Sequence, residues 1–140
     1  MGEVRTLRSL IEIVQVVEDC DDVVYVRYSR GPEADAHRVS RDFEAEVDLP
    51  GLSVSTLTPP SWWTRSTVDW VARRLCKYLD LGKERGNRPW LLVGREVGTG
   101  PDHEPLVVDP TPLGRVSDAA VDEARRHYAV AFRGDGLKDK

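Results

Sequence analysis

At 140 residues, 40% hydrophobic and 31% charged, the chain has the size and composition of one soluble globular domain, not of a disordered segment or a multidomain protein. Its net charge of −4 excludes a global attraction to nucleic-acid phosphates but leaves room for a local basic patch. Cys20 and Cys76 stand far apart in no metal-ligand spacing, which argues against a zinc site or a disulfide framework.

No apolar run approaches the roughly 18 residues of a membrane span. The opening stretch "MGEVRTLRSLIEIVQVVEDC" carries acids and an amphipathic period where a signal peptide needs an unbroken apolar core, so a cytoplasmic location is expected.

Residues 4–18 place Leu7, Leu10, Ile11, Val14 and Val17 on one face, opposite Arg8, Glu12 and Gln15, which is helical spacing. "VVYVRYS" follows as a strand, with Val24, Val26 and Tyr28 on one face and Tyr25, Arg27 and Ser29 on the other. "RGPEADAHRVSRDFEAEVD" shows no clean periodicity and is long for a plain loop. "LPGLSVSTL" reads as a turn into a short strand, ended by Pro59 and Pro60, with Trp62 and Trp63 expected to pack against the sheet.

A capping signal at Ser66 and Asp69 opens a helix over 66–81, with Val68, Val71, Ala72, Leu75 and Leu79 as its apolar stripe and Gly82 as its C-cap. "PWLLVGREVG" and "EPLVVD" are two strands paired across "GTGPDH", and "TPLGRVS" is a candidate third. Ser117 caps a last amphipathic helix through Phe132, followed by the polar tail "RGDGLKDK". The short connections point to a single α+β domain with a mixed or largely antiparallel sheet and three amphipathic helices.

Gly98 and Gly100 form G-x-G after a strand, yet no helix start follows, so glycine-specific dihedrals in a hairpin account for them better than a dinucleotide site. Asp102, His103 and Glu104 are adjacent and lack distant partners for a metal, and Ser53 and Ser55 lack a nucleophile turn. Glu104 closes a Gly/Pro-shaped loop just before an apolar strand, a place that can hold a carboxylate in one orientation.

Arg27, mid-strand, requires an anionic partner, either an acid of the chain or a ligand phosphate, and Ser29 shares its face. Trp70 falls off the apolar stripe of its helix beside Arg74 and Lys77, which makes that face a candidate partner surface or a plain solvated basic face.

The blocks "YVRYSRGPEAD", "LPGLSVSTL", "WVARRLCKYLDL" and "RPWLLVGREVGTGPDHEPLV" resemble a family of small actinobacterial proteins known only as a domain of unknown function, over about residues 5–130. A second resemblance is to the Arg–Ser–Glu layout of ADP-ribosyltransferases. It implies NAD as cofactor, Arg27 on an NAD phosphate, Ser53 or Ser55 at the nicotinamide pocket, and Glu104 as the catalytic carboxylate with Asp102 standing in the Glu-x-Glu element. The competing expectation is a non-catalytic accessory or protein-interaction domain using Trp70, Arg74 and Lys77.

Overall fold

The structure, a computed structural model, describes residues 4–77 and 86–138. In chain order the elements are β1 (Thr6–Leu7), α1 (Leu10–Asp19), β2 (Tyr25–Ser29), α2 (Pro32–Asp35), β3 (Arg41–Asp42), β4 (Val47–Asp48), β5 (Leu52–Ser53), β6 (Ser55–Thr56), α3 (Thr67–Cys76), β7 (Arg88–Thr99), β8 (Pro105–Val116) and α4 (Asp118–Lys138). The fold is α+β, with four helices among the described residues rather than three; the extra one is the single turn α2.

Caps set where the helices begin. Ser9 is extended and its Oγ accepts the Glu12 N–H at 3.2 Å, so α1 starts at Leu10 and not near residue 4. Its buried stripe is therefore Leu10, Ile13, Val14 and Val17, while Ile11 faces solvent. Leu7 is buried from a strand instead, opposite Val116 in the parallel β1–β8 pair.

Ser66 Oγ accepts the Asp69 N–H at 3.2 Å and opens α3 as expected. The Asp69 carboxylate turns outward to Arg65 at 3.0 Å and to His127 of α4 at 2.6 Å. Burial pushes that carboxyl up, but the bonds from His127 and Arg65 outweigh it and hold it below the ordinary aspartate value. Leu79 and Gly82, expected in this helix and at its cap, lie outside the described residues. Ser117 caps α4 through the Ala120 N–H at 3.1 Å, and the helix runs on to Lys138, through the stretch expected to be a tail.

The main sheet runs β1-β8-β7-β2-β6, parallel only at β1–β8. "TPLGRVS" is no separate strand, because it continues "EPLVVD" into the 12-residue β8. Three register shifts between β7 and β8 bend the hairpin. The short segment β5–β6 then closes the curl, its first half pairing with β8 and its second with β2.

Alternation along β2 and β7 splits the core in two. Val24, Val26 and Leu91 face the helices with Ile13, Val71 and Leu75, while Tyr25, Trp90 and Leu92 face Leu52, Val54 and Val107 inside the curl. Burial, with the hydrogen bond and charge of Glu96, pushes the Tyr25 phenol up to about 12.

Trp70 corrects the expectation of an exposed indole. It is 7% exposed, in the helix-side core, because α3 packs against both α1 and α4 and because Trp62 and Trp63 cover its remaining side edge-on at 6.0 and 5.0 Å. Trp63 packs against the helix-side core, and Trp62 is exposed. Among the described residues the Trp70 Nε1 has no hydrogen-bond partner.

No helix among the described residues is long and apolar enough to cross a membrane.

Candidate functional site

The strand alternation of β2 turns Arg27 and Ser29 away from the helices, toward the uneven segment that follows. Gly31, at φ 122°, allows the sharp exit from β2, a conformation closed to L side chains, and Pro32 starts α2. This single turn brings Asp35 back over β2. Its Oδ2 accepts the Arg27 Nε–H at 2.8 Å and the Ser29 hydroxyl, and Ser29 Oγ in turn accepts the Trp90 indole N–H at 2.9 Å and the Gly31 N–H at 3.1 Å.

Arg27 also donates from Nη1 to the Ser53 carbonyl at 2.8 Å and to Ser40 Oγ at 3.3 Å. Of the two partners open to Arg27, the structure provides the acid of the chain itself. With side chains 18% and 5% exposed, Arg27 and Asp35 form a largely buried pair that holds the curl to α2.

Glu104 sits at the end of the β7–β8 hairpin. His103 N–H donates to the Gly100 carbonyl at 3.0 Å, and Gly100 N–H donates to the Glu104 carbonyl at 2.7 Å. Neither Gly98 nor Gly100 supplies a positive φ; His103 does, at 64°. A Cβ at Gly100 would lie 2.4 Å from the Glu104 carboxyl group, so a side chain there displaces that carboxylate from its present bonds. That carboxylate folds back on its own loop: Oε1 accepts the Asp102 N–H and Oε2 the Ser53 hydroxyl, each at 2.9 Å.

Arg27, Ser53 and Glu104 are thus linked through Ser53, whose carbonyl faces Arg27 and whose hydroxyl faces Glu104. Ser29 joins the Arg27 end through Asp35. Asp102 contributes a backbone N–H to the loop. Ser55 does not join them. It is the register partner of Val26, hence on the helix-facing side of the sheet. Arg74 donates to the Thr56 carbonyl at 3.2 Å and tethers α3 to β6, with its guanidinium carbon 5.3 Å from the Trp70 ring; Lys77 is the exposed C-cap of α3.

The Arg27 end opens into a basin of about 750 Å³, lined by Arg27, Ser29, Arg30, Asp35, His37, Arg38, Ser40, Arg41, Phe43, Asp48, Ser53 and Asn87 among others; Glu104 is not part of its lining. Four arginines stand there against two aspartates, and both aspartates are paired, with Arg27 and with Arg41. Among the described residues, Arg30 and Arg38 make no side-chain ion pair or hydrogen bond.

Arg30, Arg38 and Arg41 lie in the segment without periodicity, where no pattern singles them out. The signal was the charge itself, four arginines and a histidine between positions 27 and 41. No group of His, Cys, Asp or Glu among the described residues is placed to hold a metal ion.

Residues 1–136 match one family across nearly the whole chain. The chain belongs to DUF6098, a family of unknown function. No curated protein and no solved structure matches it. Membership in DUF6098 agrees with the expectation of a family of unknown function and brings no activity to the Arg27–Ser53–Glu104 linkage.

That linkage makes a prediction for the DUF6098 chain. Glu104→Gln is expected to lower unfolding stability by about 1–2 kcal/mol, because the amide offers one uncharged acceptor where two oxygens now accept two donors. Chemical denaturation reads this directly. A stability equal to that of the wild type would show that these two bonds do not brace the loop.

Proposed function

We propose that this domain is a non-catalytic binding module that takes an anionic group into the basin over β2. One observation carries the reading: two guanidinium groups, Arg30 and Arg38, line a concave surface with no counter-charge of their own, in a chain whose net charge is negative. Such a local patch attracts an anion that the molecule as a whole would repel, and arginine suits a phosphate or carboxylate because its fork donates two parallel hydrogen bonds.

The test is calorimetric titration with inorganic pyrophosphate at low ionic strength. Binding that weakens as salt rises and is lost in the Arg30→Ala/Arg38→Ala double variant is the expected result. No heat of binding by the wild type, or the same affinity in the double variant, overturns the reading.

The NAD-using, ADP-ribosyltransferase-like alternative keeps one observation in its favour, the bridging of Arg27 and Glu104 by Ser53. In it Arg27 would meet the ligand while Nε stays on Asp35, and Glu104 would share its carboxylate with the Asp102 N–H. Release of nicotinamide by the wild-type protein at millimolar NAD, abolished in Glu104→Gln, is the result that would favour it.

A further inference from the structure

The rim of the basin carries an aromatic ring that neither core uses. Phe43 is 79% exposed, at the tip between β3 and β4, and it lines the same basin as Arg30 and Arg38. A phenyl ring left in water forgoes roughly 2 kcal/mol of burial.

This tip is also held in shape. Asp42 Oδ1 accepts the N–H groups of Glu44 and Ala45, both at 3.1 Å, and Glu46 takes a left-handed φ of 59°. Arg41 ties the two arms together through Asp48 at 3.1 Å and the Glu46 carbonyl at 2.9 Å. The bonds Leu49 N–H to Ser40 O, at 2.8 Å, and Ser40 N–H to Gly51 O, at 3.0 Å, fasten the base of the hairpin. The backbone that carries Phe43 is therefore braced on both arms of the hairpin.

Asn87, half-buried, also lines the basin; among the described residues its side-chain amide makes no hydrogen bond, and it can offer both donors and an acceptor. The basin thus combines a flat apolar face, an unused amide and two unpaired guanidinium groups, and its size falls within the roughly 300–1,000 Å³ typical of small-molecule sites.

We infer that the ligand of the basin is a nucleoside phosphate, its base stacked on Phe43 with an edge toward Asn87 and its phosphates on Arg30 and Arg38. This rests on the anion-binding reading and adds the ring to it. A phosphate alone uses the arginines and leaves Phe43 idle, whereas a base and a phenyl ring remove each other's faces from water.

The test is calorimetric titration of the full chain with ADP and, separately, with inorganic pyrophosphate, which carries the same pair of phosphates without base or sugar. ADP is expected to bind on the order of tenfold more tightly, the size of one base–aromatic stack. Phe43→Ala is expected to bring ADP down to the affinity that pyrophosphate shows for the wild type, and Phe43→Trp to retain the ADP preference. Because Phe43 is exposed, both variants keep the fold, and a thermal melt verifies this.

Equal affinities for ADP and pyrophosphate in the wild type overturn the nucleoside assignment and leave the anion-binding reading standing. An ADP preference that survives Phe43→Ala overturns the stacking assignment in the same way. Failure of both ligands to bind the wild type overturns both readings.

Discussion

Asp35→Ala is expected to destabilise the domain by about 3–5 kcal/mol, the range for removing one partner of a buried ion pair. The carboxylate is almost fully buried and holds both Arg27 Nε and the Ser29 hydroxyl. Its loss leaves a largely buried guanidinium with the Ser53 carbonyl and the Ser40 hydroxyl as its remaining acceptors among the described residues. It also frees the Ser29 hydroxyl that receives the Trp90 indole N–H, so the disturbance reaches the core inside the curl.

Urea denaturation of the variant against the wild type measures the effect. A cost under about 1 kcal/mol, the level of an exposed pair such as Arg95–Asp109, would show that Arg27 and Asp35 do not act as an internal clamp.

Leu75→Ala is expected to cost about 2–5 kcal/mol, from lost burial and from the cavity left behind. Leu75 is fully buried in the helix-side core with Val71 and Ile13, at the end of α3 where its carbonyl accepts the Tyr28 hydroxyl. That bond ties α3 to β2, so shrinking the side chain loosens the helix just where it meets the sheet. The same denaturation experiment reads the result, and a midpoint shift within error would remove this face of α3 from the core.

The parts of the fold legible in the sequence are those where periodicity and caps agree. Val24, Val26 and Tyr28 alternate with Tyr25, Arg27 and Ser29 as the period of a strand requires, and Ser66 and Ser117 cap α3 and α4. The β7–β8 pairing was equally readable, because two apolar runs flank one Gly/Pro loop.

Errors arose where one local pattern has two tertiary outcomes. Trp70 lies off the stripe of an isolated helix, yet α3 is covered on more than one side, so the off-stripe position is also interior. Ile11 shows the converse: it fits a helix begun near residue 4, but the Ser9 cap shifts the start and turns it to solvent.

Of the residues singled out in the sequence, some are joined by hydrogen bonds in the structure and Ser55 is not. Arg27, Ser53 and Glu104 do come together, through hydrogen bonds that no spacing rule predicts. Glu104 accepts the Asp102 N–H and so braces its own loop, a structural use that its position before the strand did not reveal. The basic lining was hidden in a segment whose short elements, α2, β3 and β4, carry too few residues to show a period.

The central claim divides the arginines by role, with Arg27 engaged internally and Arg30 and Arg38 open to a ligand. The most direct measurement is NMR of the arginine Nε–Hε resonances during titration with pyrophosphate, with Arg27→Lys, Arg30→Lys and Arg38→Lys variants for assignment. The account predicts saturable shifts at Arg30 and Arg38 while Arg27 Nε–Hε, donated to Asp35, stays in place. Shifts at Arg27 with Arg30 and Arg38 unmoved, or no shift at any of the three at millimolar ligand, would contradict it.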